Sequence, residues 1–122
     1  MNEPVTAERM TEDDLVAGLL DALTVAGWQA WHVRRSDRAL WQGTPGWPDL
    51  TALPPRGRGP LLVIEAKSDG GRVTEQQAVW LVRLHQAGCT AALIRPPDYE
   101  RAVDLILAGD ASAEAWAWAF RP

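Results

Sequence analysis

The chain's 122 residues, 47% of them hydrophobic and 23% charged, suit one compact domain, and its single cysteine, Cys89, with only His32 and His85 for company, excludes internal disulfides and cysteine-based zinc sites. No apolar run approaches the roughly 18 residues of a membrane span, and residues 1–10 are acidic and polar, unlike a signal peptide, so a soluble, cytoplasmic protein is expected. The net charge of -4 argues by itself against a polyanionic partner, yet residues 28–95 carry nine cations against five acids between two acidic flanks, so the middle of the chain can still meet nucleic acid.

Thr11, followed by acids and then by Leu15, Leu19 and Leu23 with Val16 and Leu20 beside them, predicts an amphipathic helix that ends at Gly27. Thr11 and Asp14 have the spacing of a capping box. Residues 28–35 are aromatic and β-branched, with Trp31 and Val33 alternating, and predict a strand. Gly43, Pro45 and Gly46 make 36–47 a loop. Two further strands are predicted over 49–53 and 61–67, joined by a loop, 54–60, made only of Pro, Arg and Gly. Leu61, Leu62, Val63 and Ile64 are apolar on both faces, as in a central, doubly covered strand. Residues 74–87 predict a helix capped by Thr74 and stopped by Gly88. A buried strand over 89–94 then closes at Pro96 and Pro97, a helix runs over 98–108 to Gly109, and a short terminal helix covers 112–120. The order αβββαβα, with a helical crossover before the fourth strand, implies a mixed sheet with helices on its faces.

The hairpin brings chemistry together. With Leu53 opposite Leu61 across the loop, the antiparallel register continues to set Asp49 opposite Glu65. Directly opposed side chains have Cβ atoms about 4.5–5.5 Å apart, and two like charges there are destabilising unless a cation offsets them. Lys67, two residues beyond Glu65, projects from the same face of its strand. It is the only lysine in a chain that otherwise carries eleven arginines, and a compact ammonium on a flexible stem does chemistry that a planar guanidinium does not. Two carboxylates and an ammonium at one end of a central strand suffice for metal-assisted phosphodiester hydrolysis. Mg²⁺ takes one or two carboxylates plus substrate phosphate oxygens, polarises the phosphate and acidifies water.

Gly46-Trp47-Pro48-Asp49-Leu50 followed by Ile64-Glu65-Ala66-Lys67 resembles the PD-(D/E)xK nuclease signature. The segment Gly71-Arg72-Val73-Thr74-Glu75-Gln76-Gln77-Ala78-Val79-Trp80-Leu81 is similar to the one that follows that motif in the VRR-Nuc branch, where a helix begins with a Gln. The resemblance runs from about residue 11 to 95. It implies a restriction-endonuclease-like αβββαβ core, with a mixed four-stranded sheet flanked by helices. The expected organisation is a single domain over 1–122, its core over 11–95 and a C-terminal helical extension over 96–122. The implied activity is a metal-dependent DNA endonuclease, structure-selective or weakly sequence-specific, acting on DNA that includes branched or single-stranded forms and with homodimerisation open. Asp49, Glu65 and the backbone carbonyl of Ala66 are the implied ligands of Mg²⁺ or Mn²⁺, and Lys67 the catalytic lysine. Glu12 matches an acidic position that reaches the same metal in many members, and Gln77 matches a Gln close to the active centre. Trp41 and Trp47 depart from the family, in a stretch that is often more polar.

Several residues carry two readings. Glu12 is equally a first-turn acid favoured by the helix dipole, and Gln77 is equally the third residue of a capping box with Thr74. Arg34, Arg35, Arg38, Arg56, Arg58 and Arg72 are candidate DNA contacts because they crowd both sides of the motif, or else solvated surface charge. Trp28, Trp31 and Trp80 fall in core periodicities, Trp41 and Trp47 are candidates for base stacking or a dimer contact, and Trp116 and Trp118 for covering a sheet edge or a partner chain. His32 and His85 are read as structural. Two alternatives to the endonuclease stand beside it, a catalytically silent nucleic-acid-binding or protein-interaction module on the same fold, and a Holliday-junction resolvase working as a dimer.

Overall fold

The computed structural model describes residues 10–33 and 43–122. Arg34, Arg35, Arg38 and Trp41 therefore lie outside the described residues. One helix and three strands open the fold: α1 (Glu12–Val25), β1 (Gln29–His32), β2 (Leu50–Leu53) and β3 (Leu62–Ala66). They are followed by α2 (Glu75–Gln86), β4 (Thr90–Ile94) and α3 (Tyr99–Leu107). The strands form one mixed sheet in the order β1-β2-β3-β4, antiparallel except for the β3–β4 pair. This is the predicted architecture, with helices on both faces, and among the described residues no helix is long and apolar enough to cross a membrane.

Local chemistry accounts for the element boundaries. Thr11 and Asp14 exchange side-chain and backbone hydrogen bonds at the start of α1, and Thr74 and Gln77 do so at the start of α2. Both boxes satisfy two amide donors that a helix start leaves orphaned. Of the strand expected over 28–35, β1 holds Gln29–His32, and residues 34–35 lie outside the described residues; it starts one residue late because Trp28 turns inward, its ring buried and its Nε1 donating to the Ile106 carbonyl at 2.9 Å.

Period-two alternation assigns the faces. Leu50, Ala52, Leu62, Ile64, Ala66, Ala92 and Ile94 point to α1 and α3, where Leu15, Leu19, Leu23, Ala102 and Ile106 complete the larger core. Val63 and Ala91 point the other way and meet Leu81 and Leu84 of α2 in a smaller cluster. The expected helix over 112–120 is instead a run of turns ending in a 3₁₀ turn, Ala117–Ala119. Its Trp116 is buried in the larger core while Phe120 stacks on His85 of α2, ring centroids 4.0 Å apart. The tail thus wraps the β4 edge, and Arg121 donates to the Leu93 carbonyl at 2.9 Å. Covering an edge strand in this way removes a template for unwanted pairing.

Trp31 departs from its expected packing role. It pairs with Thr51 on the face that α2 covers only over β3 and β4, and it is 64% exposed. Alternation identifies the face on which a side chain stands, but not whether a helix reaches that far across the sheet.

Candidate active site

The hairpin register is the one that the loop length implies. Leu50 pairs with Ile64, Thr51 with Val63 and Ala52 with Leu62, and one step further the same register sets Asp49 opposite Glu65. Both carboxylates are buried, Asp49 at 5% exposure and Glu65 at 0%. Asp49 Oδ2 accepts a 2.8 Å hydrogen bond from the Ala66 amide, which fixes one acid against the backbone beside the other. Lys67 follows immediately. Its amide donates to the Ile94 carbonyl at 3.0 Å, prolonging the β3–β4 pairing, and its buried ammonium stands 3.7 Å from Glu65 Oε1.

Glu12, the first residue of α1, brings a third carboxylate to the same end of the sheet. One oxygen each from Glu12, Asp49 and Glu65 lie within 4.8 Å of one another. Three hard oxygen donors at that spacing, two of them buried, are the donor set that Mg²⁺ or Mn²⁺ takes, and they would repel one another without a cation. A buried ammonium beside Glu65 offsets part of that charge.

Gln77 meets two partners at once. Its Oε1 accepts from the Thr74 amide as a capping-box residue, and its Nε2 donates to Glu65 Oε1 at 2.9 Å. A primary amide has a donor and an acceptor end, so the helix cap uses one and orients Glu65 with the other. Ligand-orienting hydrogen bonds of this kind are part of how metal sites are built.

The segment before Asp49 is pinned onto α2. Trp80 Nε1 donates to the Pro45 carbonyl at 2.9 Å, and Gly46, at φ 106°, lies so close to Gln76 that an added Cβ would meet its backbone carbonyl at 2.9 Å. Only glycine fits there. Trp47 packs edge-on against Trp80, centroids 5.0 Å apart, and its Nε1 donates to Thr51 Oγ1 at 2.9 Å. The helix that carries Gln77 and the loop that carries Asp49 are thereby held together.

The arginines divide. Arg72 is exposed in the connection from β3 to α2, which leaves the acidic end of the sheet. Arg56 and Arg58 flank the motif in sequence but not in space. They sit in the β2–β3 loop at the opposite end of the hairpin, roughly 13 Å of strand from the Asp49–Glu65 row. There Gly59 lies close to Ala111, and Pro55 close to Gly109. Arg95 is a site-side residue that sequence reasoning missed: its Nη1 donates to the Ser68 and Gly71 carbonyls at 2.8 and 2.7 Å and so clamps the turn after Lys67. A side chain bonded to backbone some 25 positions away leaves no local sequence signal. His32 and His85 lie outside the acidic cluster.

A family model described as the VRR-NUC domain matches residues 2–96. A solved structure titled "VRR_NUC domain protein" is similar in fold, with a TM-score of 0.58 and 20% sequence identity over 85% of this chain and 94% of that one. Among curated proteins none matches.

Proposed function

Because the chain belongs to the VRR-NUC domain family, within the PD-(D/E)xK nucleases, we propose that it is a metal-dependent DNA endonuclease whose hydrolytic site is the Glu12, Asp49, Glu65 and Lys67 cluster. The convergence of three carboxylate oxygens within 4.8 Å, with the Lys67 ammonium 3.7 Å from one of those carboxylates, carries this reading. Glu12, Asp49 and Glu65 would hold the cation, with the Ala66 carbonyl as a further ligand. Mg²⁺ or Mn²⁺, when bound, supplies Lewis-acid polarisation of the scissile phosphate and lowers the pKa of water.

The protein's own groups do the rest. Lys67 orients the attacking water and neutralises charge that builds on the phosphoryl oxygens, from a buried position where an ammonium acts at low dielectric. Gln77 Nε2 fixes Glu65 at its Oε1, and the Ala66 amide fixes Asp49 beside it, so both carboxylates stand ready to hold a cation. Arg72 offers a phosphate contact on the acidic side of the sheet, with Arg34, Arg35 and Arg38 as further candidates. The cleavage is structure-selective or weakly sequence-specific.

Incubation with a panel of single-stranded, duplex, flapped and four-way-junction DNAs, in Mg²⁺, Mn²⁺ or EDTA, tests the proposal. Cleavage in metal, lost in EDTA and in Lys67→Ala, is the expected outcome. Absence of metal-dependent cleavage on every substrate would leave a silent binding module on this fold.

A further inference from the structure

Next to the acidic row lies a cleft of about 180 Å³ that the site described above does not use. Val33, Gly46, Trp47, Thr74, Gln76 and Gln77 line it. Two of these walls are shared with the hydrolytic site: the Val33 amide donates to the Asp49 carbonyl at 3.0 Å, and Gln77 holds Glu65. Among the described residues the lining carries no charged side chain. What it offers is an indole held rigid by Thr51 and Trp80, and the amide of Gln76, which is exposed and has no hydrogen-bond partner among the described residues. Its volume is below the roughly 300 Å³ at which pockets for drug-sized ligands begin, the scale of a single planar ring system.

One row further along the same face stands Trp31. Register makes it the diagonal neighbour of Asp49 across β1 and β2, a Cα separation of about 7–8 Å, and its ring is 64% exposed. A rigid indole, a free amide and a second exposed indole beside a phosphodiester-cleaving centre are complementary to neutral, planar, hydrogen-bonding groups that follow a phosphate backbone.

We infer that this cleft, together with Trp31, binds nucleobases flanking the scissile phosphate, and hence that the substrate presents unpaired nucleotides there. A base inside a duplex has both ring faces stacked and its pairing edge occupied, and extracting it costs a few kcal/mol. Single strands, flaps and forks present such bases at no such cost. The inference rests on the nuclease reading for the identity of the polymer, and its test is a binding measurement that does not require cleavage.

In the Lys67→Ala background, fluorescence anisotropy compares a single-stranded oligonucleotide, an abasic strand of the same length and a blunt duplex. The base-bearing strand is expected to bind about tenfold more tightly than the abasic one. Gln76→Ala and Trp31→Ala are each expected to reduce that preference severalfold and to leave abasic binding unchanged. Equal weakening on both strands, no change on either, or a change in oligomeric state by light scattering in place of a change in base preference would overturn it. Base preference that persists in a wild-type protein with no metal-dependent cleavage would sink the nuclease reading while leaving the cleft in place as a binding site.

Discussion

On the face toward α1 and α3, strands β2, β3 and β4 present Leu50, Ala52, Leu62, Ile64, Ala66, Ala92 and Ile94, all buried and apolar, beside Thr90, whose buried hydroxyl donates to the Ala111 carbonyl at 2.6 Å. On the face toward α2 stand Asp49, one residue ahead of β2, and Thr51, Val63, Glu65, Ala91 and Leu93 of the same three strands, and the two acids are buried almost as deeply as the leucines behind them. The first face is what hydrophobic burial selects. The second is not, because taking a carboxylate out of water costs several kcal/mol unless it is paired or coordinated. The two acids stand in one row, held by the Ala66 amide, the Gln77 amide and the Lys67 ammonium, and this paired polar cluster sets the acidic end of the sheet apart from the apolar face.

Substitutions on the two faces should therefore separate activity from stability. Asp49→Asn keeps an acceptor for the Ala66 amide but removes a ligand charge. Cleavage should fall about a thousandfold, roughly 4 kcal/mol of transition-state stabilisation, while the metal-free protein melts higher, by about 1 kcal/mol of relieved repulsion. A lower melting temperature in EDTA would show that the acids are not in conflict. Ile64→Ala, one residue from Glu65 but on the opposite face, should do the reverse: a loss of about 2–5 kcal/mol in chemical denaturation, with the metal affinity of the folded protein unchanged.

Gln77→Ala lies between these extremes. It removes the hydrogen bond that orients Glu65, so metal affinity or cleavage should fall about 10–100-fold. It also removes one half of the α2 cap, and Thr74→Ala serves as the control. That change should cost about 1 kcal/mol of stability and leave cleavage within a factor of about 3, because the Gln77–Glu65 bond survives. If the two variants lose activity alike, Gln77 acts only as a cap.

Much of this face was legible in the sequence. A seven-residue loop between two apolar runs was enough to set Asp49 against Glu65, and period-two alternation carried Lys67 to the same side. Glu12 and Gln77 each fitted a capping or dipole explanation as well as a functional one, and local pattern has no means of choosing between them. Only the meeting of α1 with the strand ends, and the two-ended chemistry of the Gln77 amide, shows where they point. Trp31 was misread because alternation does not reveal how far α2 extends over the sheet. Arg56 and Arg58 were misplaced because nearness in sequence was read as nearness in space, when an antiparallel hairpin sends its loop away from its open end. Arg95 and Trp116 act through contacts distant in sequence, which neither periodicity nor spacing encodes.

Calorimetric titration of the wild-type chain with Mn²⁺, beside Asp49→Ala, tests the central claim that the three carboxylates form one cation site. A saturable binding signal in the wild type, absent from the variant while its fold is retained by circular dichroism, is the predicted result. Identical titrations for the two proteins would contradict it.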